Sequence, residues 1–221
     1  RAMDLVEPVS GHKLASIPSR FLRNFASFSH DSRSFGVIGP DNKSVMLWDT
    51  VERRDLPPIK NDVELRSFLM SPGGKLLVTF DKESGTVKSW EIVSKRRVAQ
   101  FVRNRNATNS EDEAPDESDP QVLSPDGQVL AFSDSSKVEL WQVNSNDSPL
   151  ALANSDMRAP VSVIAFSPDG RLLAAGDEIG TVRIWDAVKR QELTTFMGHK
   201  DSVTTLASSP DSRALASGGA A

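Results

Sequence analysis

The sequence predicts an all-β fold in which one short antiparallel sheet is repeated along the chain, and three observations predict it. A tetrapeptide of turn chemistry recurs as Ser71-Pro72-Gly73-Gly74, Ser124-Pro125-Asp126-Gly127, Ser167-Pro168-Asp169-Gly170 and Ser209-Pro210-Asp211-Ser212, with a weaker copy at Ser29-His30-Asp31-Ser32; the starts lie 42, 53, 43 and 42 residues apart. A second, independent series is Trp48-Asp49, Trp90-Glu91, Trp141-Gln142 and Trp185-Asp186, with steps of 42, 51 and 44 residues. Both series lengthen at the same interval, so one insertion accounts for both departures from a fixed period. Third, each tryptophan ends a short apolar segment, as in Thr86-Val87-Lys88-Ser89 and Thr181-Val182-Arg183-Ile184, as expected of a strand rich in β-branched residues.

The elements within one period follow from turn chemistry. The Ser-Pro-Asp-Gly copies separate two apolar segments, for example Val161 to Phe166 and Arg171 to Ala175. Proline sets φ near −65° early in a turn and glycine accepts the positive φ of a tight reversal, so these are hairpin turns. Another turn precedes each tryptophan strand (Glu83-Ser84-Gly85, Glu178-Ile179-Gly180) and another follows it. Each period therefore holds four antiparallel strands, which is one blade of a β-propeller. In order, residues 1–20 are the end of a preceding blade, 21–58 and 59–103 are blades, 104–119 is an acidic disordered insertion, 120–154 and 155–197 are blades, and 198–221 is the first half of a further one. Met3 stands in a tryptophan position, 45 residues before Trp48. The expectation is four complete blades and two partial ones.

The period, the Trp-Asp ends, the Ser-Pro-Asp-Gly turns and Gly198-His199 resemble the WD-repeat β-propeller family over essentially the whole chain. The resemblance implies a fragment of a seven-bladed ring, seven being the commonest total in the family; the alternative is a five-bladed ring whose last blade the N-terminal strand completes. It also implies a hydrogen-bonded set in each blade: the histidine of Gly-His, a Ser or Thr of the second strand, the tryptophan and an Asp in the turn before it. Carried over residue by residue, that set is mostly missing. His199 is present with Ser217 as a partner, but Asn61, Ala114 and Met157 stand at the other histidine positions, and Asn42, Ser84, Ser135 and Ile179 at the Asp positions. Blade cohesion is then expected mainly from apolar packing, with burial of Trp48, Trp90, Trp141 and Trp185 contributing on the order of 3 kcal/mol each.

Composition narrows the function. With 38% hydrophobic and 25% charged residues and a net charge of −4, the chain has ordinary globular composition, and its longest apolar runs are about four residues, far short of a membrane span. Cysteine is absent, which suits a cytoplasmic, intracellular setting and removes thiolate metal sites and nucleophiles. No Gly-x-Ser-x-Gly elbow occurs, Gly73-Gly74-Lys75 is not a phosphate loop, and His12, His30 and His199 lack metal-ligand spacing. No catalytic residue, metal or cofactor is expected. A sequence pI near 5.5 and the absence of tyrosine speak against nucleic acid.

The acidic residues gather in the insertion, at Glu111, Asp112, Glu113, Asp116, Glu117 and Asp119, leaving the rest of the chain slightly basic. Consecutive hairpins alternate between the two ends of a blade, so the turns after the tryptophans share a face with the Ser-Pro turns. Those turns and the outer strands they open carry Arg53-Arg54, Lys95-Arg96-Arg97 and Lys189-Arg190. The expectation is a non-catalytic platform for other proteins, or for a domain of the same polypeptide, with an electropositive rim on one face. The alternative is a regulatory or substrate-gating propeller of an enzyme whose catalytic domain lies outside this chain.

Overall fold

Short segments rich in β-branched and aliphatic residues form strands throughout the described residues, several of them buried on both faces, and turns containing Pro, Gly or Asp reverse the chain between them. The computed structural model describes residues 2–7, 9–18, 26–103, 119–134 and 136–219. The acidic insertion apart from Asp119, together with Ala114 and Ser135, lies outside these residues. The chain divides into two compact units, residues 1–103 and 104–221, each described by itself.

In the first unit, β1 (Ala2–Val6) and β2 (Lys13–Pro18) form a hairpin. Then β3 (Ala26–Phe28), β4 (Ser34–Ile38), β5 (Ser44–Asp49) and β6 (Arg54–Lys60) form a four-stranded antiparallel meander. Strand β6 runs to Lys60, two residues beyond the boundary placed at 58, because Ser44 and Val45 still offer it ladder partners. A second meander is built from β7 (Leu65–Met70), β8 (Leu76–Asp81), β9 (Thr86–Glu91) and β10 (Arg97–Val102). The two sheets stack through β3 and β4 against β7. Val45, Leu47, Ile59, Leu65, Phe68, Met70, Leu77, Trp90 and Ile92 fill the space between them as one buried cluster. Gly36 on β4 lets the sheets approach, since a Cβ there would stand 3.0 Å from the end of the Met70 side chain.

The second unit repeats the design. One meander is β11 (Gln121–Leu123), β12 (Val129–Asp134), β13 (Lys137–Gln142) and β14 (Leu150–Ala151); the next is β15 (Val161–Phe166), β16 (Leu172–Asp177), β17 (Thr181–Asp186) and β18 (Gln191–Met197). A two-stranded sheet of β19 (Val203–Ser208) and β20 (Leu215–Gly219) follows. Val138, Leu140, Leu152, Met157, Val161, Ile164, Leu173 and Trp185 are buried in one cluster between the two meanders. Met157, at a position where the family carries histidine, is thus part of an apolar core.

Four of the five copies of the hairpin turn, all but Ser71-Pro72-Gly73-Gly74, share one construction. Ser29, Ser124, Ser167 and Ser209 donate their hydroxyls to Asp31, Asp126, Asp169 and Asp211 at 2.5 to 2.6 Å. Each carboxylate also accepts the backbone N–H two residues on, from Arg33, Gln128, Arg171 and Arg213 at 3.0 to 3.1 Å. The fourth residue of each turn has positive φ: Gly127 at 71° and Gly170 at 72° adopt it freely, and Ser32 at 58° and Ser212 at 59° adopt it at some steric cost.

The bond from the turn serine, reinforced by the backbone N–H, holds all four aspartates below the ordinary carboxylate value of 3.8. A carboxylate with a lowered folded pKa adds stability that is complete above the unfolded value and is lost as the pH falls through the folded one. The urea midpoint is therefore expected to fall as the pH is taken below about 4, and that of Asp126→Asn, which removes one titrating turn, to decline less steeply over the same acid range. Equal slopes for the two proteins would show that these turns do not set acid stability.

Candidate functional site

Within each sheet the turn after the tryptophan strand, which carries the basic residues in three of the four meanders, is tied to the Ser-Pro-type turn at the same end. In the first unit Thr50 N donates to Arg33 O at 3.0 Å and Ile92 N to Lys75 O at 2.9 Å. In the second unit Val143 N donates to Gln128 O at 3.0 Å and Ala187 N to Arg171 O at 2.8 Å. The turn after the tryptophan strand and the Ser-Pro-type turn thus form one edge in all four meanders. The edges of neighbouring sheets in the first unit are joined as well, by Asp31 N donating to Pro72 O at 3.2 Å.

The turn after the tryptophan holds its cations in a defined conformation. Asp49 Oδ1 accepts the N–H groups of Val51 and Glu52 at 3.0 and 2.9 Å, and Asp186 Oδ1 those of Val188 and Lys189 at 3.0 and 2.8 Å. The chain then passes through the left-handed region at Arg53 (φ 52°), Lys95 (φ 57°) and Arg190 (φ 58°). A side chain there costs on the order of 1 kcal/mol relative to glycine. Arg53, Arg54, Lys95, Arg96 and Arg97 are all exposed. None of the five has a carboxylate within salt-bridge distance among the described residues. Three nearby acidic groups are engaged locally, Asp49 by its own turn, Glu91 by the Ser94 hydroxyl at 2.5 Å and Asp31 by Ser29, while Glu52 and Asp55, which flank the arginine pair, are exposed. The first unit brings these five cations to one edge. Lys189, in the second unit, lies 3.8 Å from Asp186.

The predicted blade residues occupy less uniform settings. Trp185 is completely buried and its Nε1 donates to Ala153 O at 2.9 Å, a bond from one sheet to the segment following the sheet before it. Trp141, 1% exposed, donates to Ser145 O at 3.0 Å, within its own turn. Trp90 is buried and donates to Thr79 Oγ1 on β8 at 2.9 Å. Trp48 is only half-buried, because the sheet on its side is the two-stranded β1–β2 hairpin, from which Leu5 reaches its cluster. His199 Nε2 lies 2.8 Å from Ser217 Oγ, joining the turn before β19 to β20.

The sheet of β7 to β10 contains, beside its apolar core, a buried polar cluster. Asn61 Nδ2 donates to Asp81 Oδ1 at 2.7 Å, Lys88 Nζ donates to Asn61 Oδ1 at 2.7 Å and pairs with Asp81 Oδ2 at 3.0 Å, and Ser84 Oγ donates to Asp81 Oδ2 at 3.0 Å. The side chains of Lys88 and Asp81 are 7% and 2% exposed. Asn61, at a histidine position of the family set, remains a hub with different partners. The available signal was strand alternation: Lys88 stands two residues before Trp90 and so shares its buried face.

Comparison with known proteins agrees with this geometry. Residues 122–211 match the family model described as the anaphase-promoting complex subunit 4 WD40 domain. The serine-threonine kinase receptor-associated protein of Rattus norvegicus is 24% identical over 85% of this chain and 49% of its own length. Periodic tryptophan protein 2 of Arabidopsis thaliana is 26% identical over 88% of the chain and 20% of its own. A target of rapamycin complex subunit of Schizosaccharomyces pombe is 26% identical over 87% and 60%. The chain therefore spans about half the length, or less, of the first two of these relatives. Among solved structures, the β-propeller domain of Cps50 (Swd1) from Myceliophteria thermophila superposes with a TM-score of 0.65 at 17% identity, covering 88% of this chain and 61% of that one. Two motif series in one register, four-stranded meanders stacked side by side within each unit, and these matches lead to one conclusion: the chain folds as blades of a β-propeller and is similar to the WD-repeat proteins.

Proposed function

We propose that this chain is a protein-interaction platform without chemistry of its own, and that the edge carrying Arg53, Arg54, Lys95, Arg96 and Arg97 receives an acidic segment of a partner protein or of another domain of the same polypeptide. One observation carries the reading: five exposed cations stand on hydrogen-bonded turns, with no carboxylate within salt-bridge distance among the described residues. Such an edge attracts negative charge without having to release an internal pair first. The relatives named as a complex subunit and as a receptor-associated protein support protein partners. An intracellular, cytoplasmic setting belongs to the same reading, since a chain without cysteine draws nothing from an oxidising compartment.

The test uses the chain with a poly-glutamate peptide as probe. Binding at low salt is expected to weaken as salt is added, and combined reversal of Arg53, Arg54, Arg96 and Arg97 to glutamate to lower affinity by at least about tenfold. Unchanged affinity in the reversed variant would overturn the assignment of this edge.

A further inference from the structure

The chain contains five Ser-Pro dipeptides, the minimal signal that proline-directed protein kinases read, and the structure separates one from the rest. Ser71, Ser124, Ser167 and Ser209 open the recurrent hairpins. The first three are 3%, 4% and 2% exposed. All four hydroxyls are occupied, accepting the N–H of Leu76, Val129, Leu172 and Ala214 at 2.9 Å. Ser148-Pro149 lies outside the repeat, on the turn between β13 and β14. Ser148 is exposed, and among the described residues its hydroxyl has no hydrogen-bond partner.

The strand after it is also the weakest of the outer strands. β14 pairs with β13 at two positions, Glu139 with Ala151 and Leu140 with Leu150. The outer strands β6, β10 and β18 pair at five, five and six. Pro149 brings no N–H to the ladder, and Leu150 is half exposed, so opening residues 145–151 gives up few ladder bonds and little apolar burial. A kinase cleft needs its substrate in such an extended form.

The geometry points to Ser148 as a phosphoacceptor for a proline-directed kinase, with the β13–β14 turn as the element it controls. In the transfer, Ser148 Oγ bonds to the γ-phosphorus of ATP, the bond from that phosphorus to the β,γ-bridging oxygen breaks, ADP leaves, and the hydroxyl proton passes to the base of the kinase. The product is a dianion beside Asp147. That residue holds the turn closed: Ser145 Oγ donates to Asp147 Oδ2 at 2.6 Å and accepts Asp147 N at 3.0 Å, while Ser145 O receives Trp141 Nε1 at 3.0 Å. Repulsion between phosphate and carboxylate loosens this lock and frees the outer edge of β13.

The folded chain is incubated with ATP and a purified proline-directed kinase, and the phosphate is mapped by mass spectrometry. One phosphate at Ser148 is expected, absent in Ser148→Ala, with amide exchange of residues 145–151 rising roughly tenfold and that of β15 to β17 unchanged. Phosphate appearing only after unfolding in urea, or only at the hairpin serines, would overturn the site. Phosphate at Ser148 with unaltered exchange would overturn its control of the turn.

Discussion

Replacing Asp81 by alanine is expected to destabilise the first unit by about 3–5 kcal/mol, because it leaves the Lys88 ammonium buried with no counter-charge and deprives Asn61 and Ser84 of their acceptor. Urea unfolding followed by tryptophan fluorescence reads the change. The double variant Asp81→Leu with Lys88→Met is expected to recover much of that loss, since removing both charges abolishes the desolvation that one alone would suffer. A single Asp81→Ala variant within about 1 kcal/mol of the parent would mean that Lys88 reaches water when its partner is gone.

Trp185→Ala is expected to cost about 3–5 kcal/mol, the range for truncating a fully buried aromatic side chain, and to lose a hydrogen bond between neighbouring sheets as well. Two comparisons give the number meaning. Trp48→Ala removes the same atoms from a less completely buried site and is expected to cost less. His199→Ala removes one partly exposed bond to Ser217 and is expected to cost about 1 kcal/mol or less. Equal costs for Trp185 and His199 would place blade cohesion in the polar set after all.

These contrasts show what a sequence of this kind discloses. Turn chemistry is local, so Ser-Pro-Asp-Gly and the Trp-ended segments marked every hairpin in the regular repeats and, through their register, the number of strands per sheet. The pairing of turns at one end of each sheet was legible for the same reason, since consecutive hairpins must alternate ends. The settings of the four tryptophans were not, because each depends on what the neighbouring sheet presents: a two-stranded hairpin for Trp48, the carbonyl of Ala153 for Trp185. The Asn61, Asp81 and Lys88 cluster was hidden for a related reason. Alternation places Lys88 on a buried face, yet its carboxylate lies on the adjacent strand and its amide hub on the loop before β7, and no spacing rule links three such positions.

The bond between paired turns has a further consequence. It runs from backbone N–H to backbone carbonyl in every meander, so the shape of this edge is indifferent to which side chains it displays. Arg33, Lys75, Gln128 and Arg171 all serve equally well as the accepting residue. Substitution can therefore rewrite what the edge recognises while leaving its scaffold in place, so that the same chain architecture can change partners in small, separately tolerated steps.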